Sequence, residues 1–426
     1  MKRRQFLTNV GAAAVATTLL NKGFAKTFTG TAPLGRVVVV GGGMAGTTVA
    51  KFLKLWGKNS VQVTLVEPNL NYISNIFSNM VLTGERTLSQ LTFNYTALTS
   101  KYNVKIKNSS VTGIDPVNKS VTLSNGSGLP YDYLVLAPGI DFEPLLITGS
   151  KANKAKIVHA WIAGEQTTTL ANEIQSMTSA DTFIMTIPLK PYRCPPGPYE
   201  RACVVADYLQ RVKGGGKVIV LDANPGIVAE PVNFGNAFNT IYKDIITYVP
   251  NASLTSIDAN AMTVATSQGT FNGNVINPIP VHKAGKLITQ SGIGLANSAD
   301  GRWAVVDVLS YQSTAQPNIF VLGDSSSTTQ PKAGHIANAE AKVCADAILQ
   351  LLKGTTINPN PITNSACFTP ITNTTASWLT VVYRYDPVTQ TMVPTGNGIT
   401  ESNGATPGNY GDMQKWFDNL MADTFS

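Results

Sequence analysis

Residues 36–67 read RVVVVGGGMAGTTVAKFLKLWGKNSVQVTLVE, and no other stretch restricts the fold of this chain so strongly. Val37 to Val40 are consecutive valines, apolar on both faces, as a strand inside a parallel sheet requires. Gly41, Gly43 and Gly46 then complete G-x-G-x-x-G, a helix is expected over residues 45–55, and a second β-branched strand over 61–66 ends on Glu67. Gly41 permits the tight turn, Gly43 lets a pyrophosphate approach the backbone, and Gly46 lets helix and strand pack closely. The helix N-terminus, with Met44 and Ala45 in its first turn, faces the phosphates, and Glu67 accepts hydrogen bonds from a ribose diol. The stretch is therefore read as a dinucleotide site, and an acid ending the second strand argues against a 2′-phosphate.

At 426 residues the chain has room for two or three domains. Only 13% of residues are charged, while Asn, Thr and Ser abound, a balance that suits export. The formal charge of +7 is concentrated at one end: residues 1–26 hold Lys2, Arg3, Arg4, Lys22 and Lys26 and no acid, which leaves +2 for the remainder. There is no electrostatic case for nucleic acid or an anionic membrane. The opening MKRRQFLTNVGAAAVATTLLNKGFA resembles a twin-arginine export signal, and its apolar stretch, residues 10–20, is too short to span a bilayer. The expectation is a periplasmic protein that takes up its cofactor before export, without stable membrane insertion.

Downstream, residues 69–100 read as loop plus helix, with short strands over 104–106 and 110–114, Val111 lying in the latter. Strands over 120–123 and 131–136 are expected to pair as a meander around a Gly-rich turn, and YDYLVLAPGID ends a strand on Ala137, Pro138 and Gly139. Residues 150–276 form an insert with its own α/β pattern: a helix over 163–177 and strands over 181–187 and 217–221. A nicotinamide-binding insert needs a second Gly-rich turn after its first strand. Here that strand leads instead to PLKPYRCPPGPYERACVVADYL, a proline-stiffened loop carrying Cys194, with a helix from near Tyr199. Residues 277–354 return to the first domain with a strand over 318–322 ending on Gly323-Asp324, then a helix over 334–352. Asp324 can hydrogen-bond a polyol hydroxyl, and the helix start, from Lys332 through Gly334 and His335, favours negative charge. Residues 355–426 open with a Pro/Asn linker, pass through Ala366-Cys367-Phe368 and a hairpin over 377–385 and 391–394, and close on an aromatic helix.

The four cysteines are Cys194, Cys203, Cys344 and Cys367. No C-x-x-C or C-x-x-C-H occurs, so the chain is expected to hold neither c-type haem nor metal. Cys203 and Cys344 lie inside expected helices and read as buried small hydrophobes. His159, His282 and His335 have no ligand-like spacing.

The segments GGGMAG, APGID, YRCPPGPYERA, GDSSS with PKAGHIAN, Ala366-Cys367 and WFDNLMAD together make the chain similar to the flavoprotein subunit of flavocytochrome c sulfide dehydrogenase. The resemblance implies two Rossmann-like FAD/NAD(P)-type domains, the FAD domain discontinuous over 34–149 and 277–354, plus a small C-terminal α+β domain at a partner interface. It implies oxidation of sulfide, with electrons leaving for a c-type cytochrome subunit in a heterodimer. Cys194 and Cys367 match the family's redox disulfide, Glu200 matches an acid proposed as a base, and Trp416 matches an aromatic near the flavin. Family members carry a cysteine that binds FAD covalently within the stretch matching residues 72–79. The matching position here is Asn75, and no cysteine precedes Cys194, so FAD is expected to be bound non-covalently. A sulfide:quinone oxidoreductase has a similar architecture but needs an apolar C-terminal surface, which the mixed, acidic NYGDMQKWFDNLMADTFS does not provide. A non-catalytic flavin-binding partner subunit is the other alternative, against which stand the intact glycine fingerprint and both cysteines.

Overall fold

The structure, a computed structural model, describes residues 33–426, so the expected export signal over 1–26 lies outside the described residues. Strand β1 (Gly35–Val40) feeds helix α1 (Met44–Gly57), which returns through β2 (Val61–Val66), as the valine and glycine pattern predicts. Strands β3 (Lys105–Lys107) and β4 (Tyr133–Leu136) follow. The insert contributes α2 (Glu165–Ser176), β5 (Thr182–Ile187), α3 (Gly197–Tyr208), β6 (Lys217–Asp222), β7 (Ile246–Val249) and β8 (Val275–Pro278). The chain then re-enters the first sheet with β9 (Ile319–Val321) and runs through α4 (Gly334–Lys353). The last segment holds β10 (Ile362–Pro370), β11 (Ala376–Asp386), β12 (Thr391–Pro394) and α5 (Pro407–Phe425).

The main sheet has eight strands, of which five, ordered β9-β4-β1-β2-β3 out to one edge, are wholly parallel. Register matters more than order. Val40 of β1 pairs with Val66 of β2 and with Leu136 of β4, and Leu136 pairs with Val321 of β9. Four strands thus end level, and the loops after them, at Gly41, Glu67, Ala137 and Gly323, meet at one carboxyl edge. That edge is where open α/β sheets bind ligands. The valines of β1 are almost fully buried, as a run apolar on both faces demands.

The insert is a second parallel sheet of four strands, ordered β7-β6-β5-β8. Its last strand runs to Pro278, past the boundary expected at 276, because Val275 to Pro278 find their partners on β5. Two linking strands, Ile140–Phe142 and His282–Ala284, pair antiparallel where the chain leaves and re-enters the first domain. The C-terminal unit is antiparallel, with β11 between β10 and β12, as the hairpin reading anticipates.

One expected pairing is corrected. Residues 120–123 do not pair with 131–136. They lie between Val111–Asp115 and the three-residue strand Gly128–Pro130, while Tyr133–Leu136 joins β1 in the main sheet. A strand that is buried on both faces gains more inside the parallel sheet than in an exposed ribbon.

Candidate active site

A cavity of about 700 Å³ runs from the glycine loop at the carboxyl edge of the first sheet to the C-terminal unit. Gly41, Gly43, Met44, Ala45, Glu67, Asn75, Val111, Ala137, Pro138, Gly139, Asp324, Gly334, His335 and Trp416 all line it, and so do Cys194, Glu200 and Cys367. Two expected cofactor residues do not. Gly46 lies under the loop, where an added Cβ would stand 1.8 Å from the Gly41 carbonyl oxygen, so its role is packing. Lys332 turns away: its Nζ donates to the Asp324 carbonyl at 2.9 Å and the Ser326 carbonyl at 2.7 Å and sits 3.7 Å from the Trp303 ring centre.

The glycine loop is fixed from three sides. The Gly42 N–H donates to Glu67 Oε2 at 2.7 Å, while Thr47 Oγ1 and the Tyr95 hydroxyl both donate to the Gly42 carbonyl, at 2.9 and 3.0 Å. Helix α1 has no acid in its first turn, so its leading N–H groups face the cavity without an internal counter-charge. Asp324 is half-buried, but its Oδ1 is shielded from solvent and has no hydrogen-bond partner. Burial raises its pKa, which the Arg193 and Lys332 charges oppose. A buried, unpartnered acceptor on a cavity wall is a socket for a ligand hydroxyl. Asn75 lines the cavity, but its Oδ1 is held by the Ala163 N–H at 2.8 Å.

At the far end, two domains deliver one cysteine each. Cys194 follows β5 in the proline loop and holds a left-handed backbone at φ +59°. That strained conformation is fixed by its N–H donating to the Lys332 carbonyl at 2.7 Å and by its own carbonyl accepting from Gly197 at 2.9 Å. Cys367 lies mid-strand on β10, opposite Leu379. All four cysteines are free thiols in this structure. Cys194 and Cys367 both open onto the cavity and are half-buried, unlike the fully buried Cys203 and Cys344. Burial, helped by the Glu200 charge, pushes the Cys194 thiol up to about 12. Burial likewise raises Cys367 well above the ordinary range, with Cys194 the largest charged contributor. Neither is an easily formed thiolate, whereas a bridge between them would carry no charge to bury.

Glu200, in the first turn of α3, accepts from Asn79 Nδ2 at 2.8 Å. Burial pushes its carboxyl up to about 8, against the Asn79 hydrogen bond and the Arg201 charge, with Glu230 reinforcing the rise. It therefore exchanges a proton near neutral pH. His335, on α4, accepts at Nδ1 from the Ala366 N–H at 3.1 Å and the Trp416 Nε1–H at 3.3 Å. Burial lowers its pKa, and the imidazole is neutral, linking the Cys367 strand to α5.

Several site residues have no sequence signature. Arg201 is fully buried and spends its guanidinium on Asn79 Oδ1 (2.9 Å), the His159 carbonyl (2.9 Å), Asn277 Oδ1 (2.7 Å) and the Ala160 carbonyl (2.8 Å). It bolts the short helix Ser78–Leu82, which carries Asn79, to the insert. Arg193 lines the cavity next to Cys194 and donates to the Trp161 carbonyl. Cys203 and Cys344 are fully buried, as expected of small hydrophobes. Among the described residues no cluster of His, Cys, Asp and Glu could hold a metal ion.

Comparison with known proteins defines the class: the chain belongs to the sulfide:quinone oxidoreductase-like flavoproteins. More particularly, residues 167–280 match the family described as sulfide dehydrogenase (flavocytochrome c) flavoprotein chain, central, and residues 35–175 match pyridine nucleotide-disulphide oxidoreductase. A mitochondrial sulfide:quinone oxidoreductase of Dictyostelium discoideum is 23% identical over 360 residues, covering 82% of this chain and 78% of that one. The flavoprotein chain of flavocytochrome c sulfide dehydrogenase from Chlorobaculum thiosulfatiphilum is 50% identical over 46 residues, 11% of this chain and 94% of that sequence. The crystal structure of the Aquifex aeolicus sulfide:quinone oxidoreductase superposes with a TM-score of 0.73 at 17% identity, covering 92% of both chains.

The cofactor is FAD. The residues fit it: the open α1 N-terminus and Gly43 suit the pyrophosphate, Glu67 the ribose diol, and the unpartnered Asp324 Oδ1 a ribityl hydroxyl.

Proposed function

We propose that this chain is an FAD-dependent sulfide dehydrogenase subunit that oxidises sulfide through a Cys194–Cys367 redox disulfide and passes electrons to a c-type cytochrome subunit. The observation that carries the reading is the delivery of two cysteines, from the insert and from the C-terminal unit, to one cavity wall beside a buried acid with a pKa of about 8. In the oxidised enzyme the two sulfurs are bridged. Hydrosulfide attacks one of them, the S–S bond breaks, and the products are a persulfide on one cysteine and a thiolate on the other. Glu200 holds the proton that hydrogen sulfide gives up on becoming hydrosulfide. Arg193 lowers the cost of negative charge at Cys194, against burial. FAD supplies the two-electron acceptor that can release electrons singly. FAD is held without a covalent bond, because Asn75 has no nucleophilic sulfur.

A cytochrome is favoured as acceptor by the mixed, acidic α5. Export through Arg3-Arg4 to the periplasm belongs to the same reading. The long match to a sulfide:quinone oxidoreductase keeps a quinone acceptor as the second reading.

The test is an anaerobic titration of the flavin absorbance with sulfide, followed by addition of oxidised cytochrome c or a soluble quinone. Bleaching by sulfide with reoxidation by cytochrome c is expected; reoxidation by quinone alone selects the second reading. Cys194→Ser should keep FAD and lose sulfide-dependent bleaching. Bleaching at the wild-type rate in that variant would exclude the disulfide route.

A further inference from the structure

Glu230 lies in the insert, outside the glycine fingerprint, the flavin cradle and the cysteine loop, and it is 3% exposed. It stands just before the short helix Pro231–Asn236, with a left-handed backbone at φ +50°. Its carboxylate reaches out of the insert to the C-terminal unit. Oε1 accepts from Thr369 Oγ1 at 2.7 Å, and Oε2 accepts from Ser377 Oγ. Thr369 and Ser377 face each other across β10 and β11, their hydroxyls 2.9 Å apart. Thr369 follows Cys367 by two residues on β10, so both side chains leave the same face of the strand, and both residues line the cavity.

We infer that Glu230 is a positioning residue for Cys367: its carboxylate clamps the strand face that carries the sulfur and sets how readily that sulfur becomes an anion. The role of Cys367 rests on the reading above, but the clamp does not. A carboxylate receiving both hydroxyl protons holds Thr369 and Ser377 each in one orientation. It also adds like charge on the side of Cys367, which disfavours a thiolate. When Glu230 is protonated, its own O–H donates to one of the hydroxyl oxygens, that hydroxyl's O–H bond stays intact and turns to another acceptor, and the repulsion disappears. The carboxyl is balanced for this, because burial pushes it up to about 7 against the hydrogen bonds of Ser377 and Thr369.

The other groups facing this pair are common to wild type and variants, Glu200 with its carboxyl pushed up to about 8 among them. Cys194 and Glu200 face Cys367 from the proline loop and α3. Glu401 faces Glu230 and is occupied by the Val232 and Asn233 N–H groups at 3.2 and 3.1 Å. His335 reaches only the backbone of neighbouring Ala366 and the side chains of Asn364 and Trp416.

The experiment uses the FAD-loaded protein, chemically reduced so that Cys367 is a thiol, and follows its alkylation by iodoacetamide from pH 7 to 10 by peptide mass mapping. No sulfide is needed, so a chain that fails to oxidise sulfide still tests Glu230. Glu230→Gln removes the negative charge and is expected to speed Cys367 alkylation at pH 8 about tenfold, the effect of lowering a thiol pKa by one unit. Glu230→Asp should restore the wild-type pH profile. Should Glu230→Gln not fold, Ser377→Ala serves instead: it removes one donor, raises the Glu230 pKa and accelerates alkylation at pH 7 to 8 by a smaller factor. An alkylation profile unchanged or slowed in the folded variants would overturn the assignment, since a merely structural Glu230 would move melting temperature and leave the profile where it is.

Discussion

The three fingerprint glycines should fail for three different reasons, and substituting each with alanine separates them. At Gly46 the new methyl carbon would stand 1.8 Å from the Gly41 carbonyl oxygen, a backbone atom that cannot swing aside. Gly41 combines φ +102° with a Cβ only 2.4 Å from the Ala137 carbonyl oxygen. Both changes overpack or strain the protein before any cofactor arrives. Each should cost about 1–3 kcal/mol of stability, a fall of about 2–4 °C in melting temperature for each kcal/mol. Gly43 is different. Its backbone is extended at φ −78°, and the nearest atom to an added Cβ is Tyr72 Cε2 at 4.0 Å. Gly43→Ala should leave the FAD-free protein within about 0.5 kcal/mol of wild type. Its methyl group would instead stand where the pyrophosphate must approach. A loss of about 1–3 kcal/mol in binding corresponds to a Kd weaker by roughly 5- to 150-fold. The assay is thermal unfolding of FAD-stripped protein beside a fluorescence titration with FAD. The reasoning is refuted if Gly43→Ala destabilises the stripped protein as much as Gly46→Ala, or binds FAD like wild type.

Two further outcomes are expected. Denaturing the protein in acid should release all flavin into the supernatant as unmodified FAD, if Asn75 stands, as the resemblance implies, where relatives carry the attaching cysteine; flavin precipitating with the chain would show a covalent link elsewhere. Glu200→Gln should flatten the pH dependence of stability. The folded carboxyl holds its proton up to about 8 against an ordinary value of 4.5, so its stabilising contribution is full below 4.5 and is lost as pH climbs through 8. Glutamine does not titrate, so melting temperature should fall less between pH 5 and 8 in the variant, and parallel curves would mean that Glu200 is already ionised in the fold.

The legible parts of this chain are those whose cause is local. The run from Val37 to Glu67 carries its period, its turn and its helix start within one stretch, and β1, α1 and β2 fall within two residues of the expected bounds. The pairing of residues 131–136 was not legible, because a strand's partner depends on register against distant chain, and the competing strand Gly128–Pro130 is too short to show a period. The same limit hid Arg201. A lone arginine says nothing until Asn79, 122 residues away, supplies its acceptor. Lys332 reads as a cation at a helix start, where it could meet the cofactor, but the carbonyls of Asp324 and Ser326 capture it first. Both cysteines were named on resemblance, and the physical support for naming them comes from the fold, which brings their two domains to one wall.

The insert shows how such a wall is made from a nucleotide-binding plan. In a dinucleotide half, the turn after the first strand cradles phosphate, and an acid at the end of the second strand takes the ribose. Here β5 and β6 keep their parallel register, and β6 still ends on an acid, Asp222. That acid is spent inside the protein. Its Oδ2 accepts from the Tyr199 and Tyr248 hydroxyls at 2.7 and 2.9 Å, and its Oδ1 from the Asn224 N–H and Nδ2 at 2.9 and 2.8 Å. A carboxylate has about four acceptor positions, so these four donors fill it. The turn after β5 has likewise changed occupant. A Cβ on Gly197, the first residue of α3, would lie 2.9 Å from the Cys194 sulfur. The absence of a side chain there lets the sulfur sit against the helix start, in the place a phosphate would take. The positive end of α3 favours negative charge at that position, and it works with Arg193 against the burial that otherwise keeps Cys194 protonated. A helix terminus suited to an anionic ligand carries a cysteine of its own chain instead, while the acid that ends the second strand of this half holds the fold together.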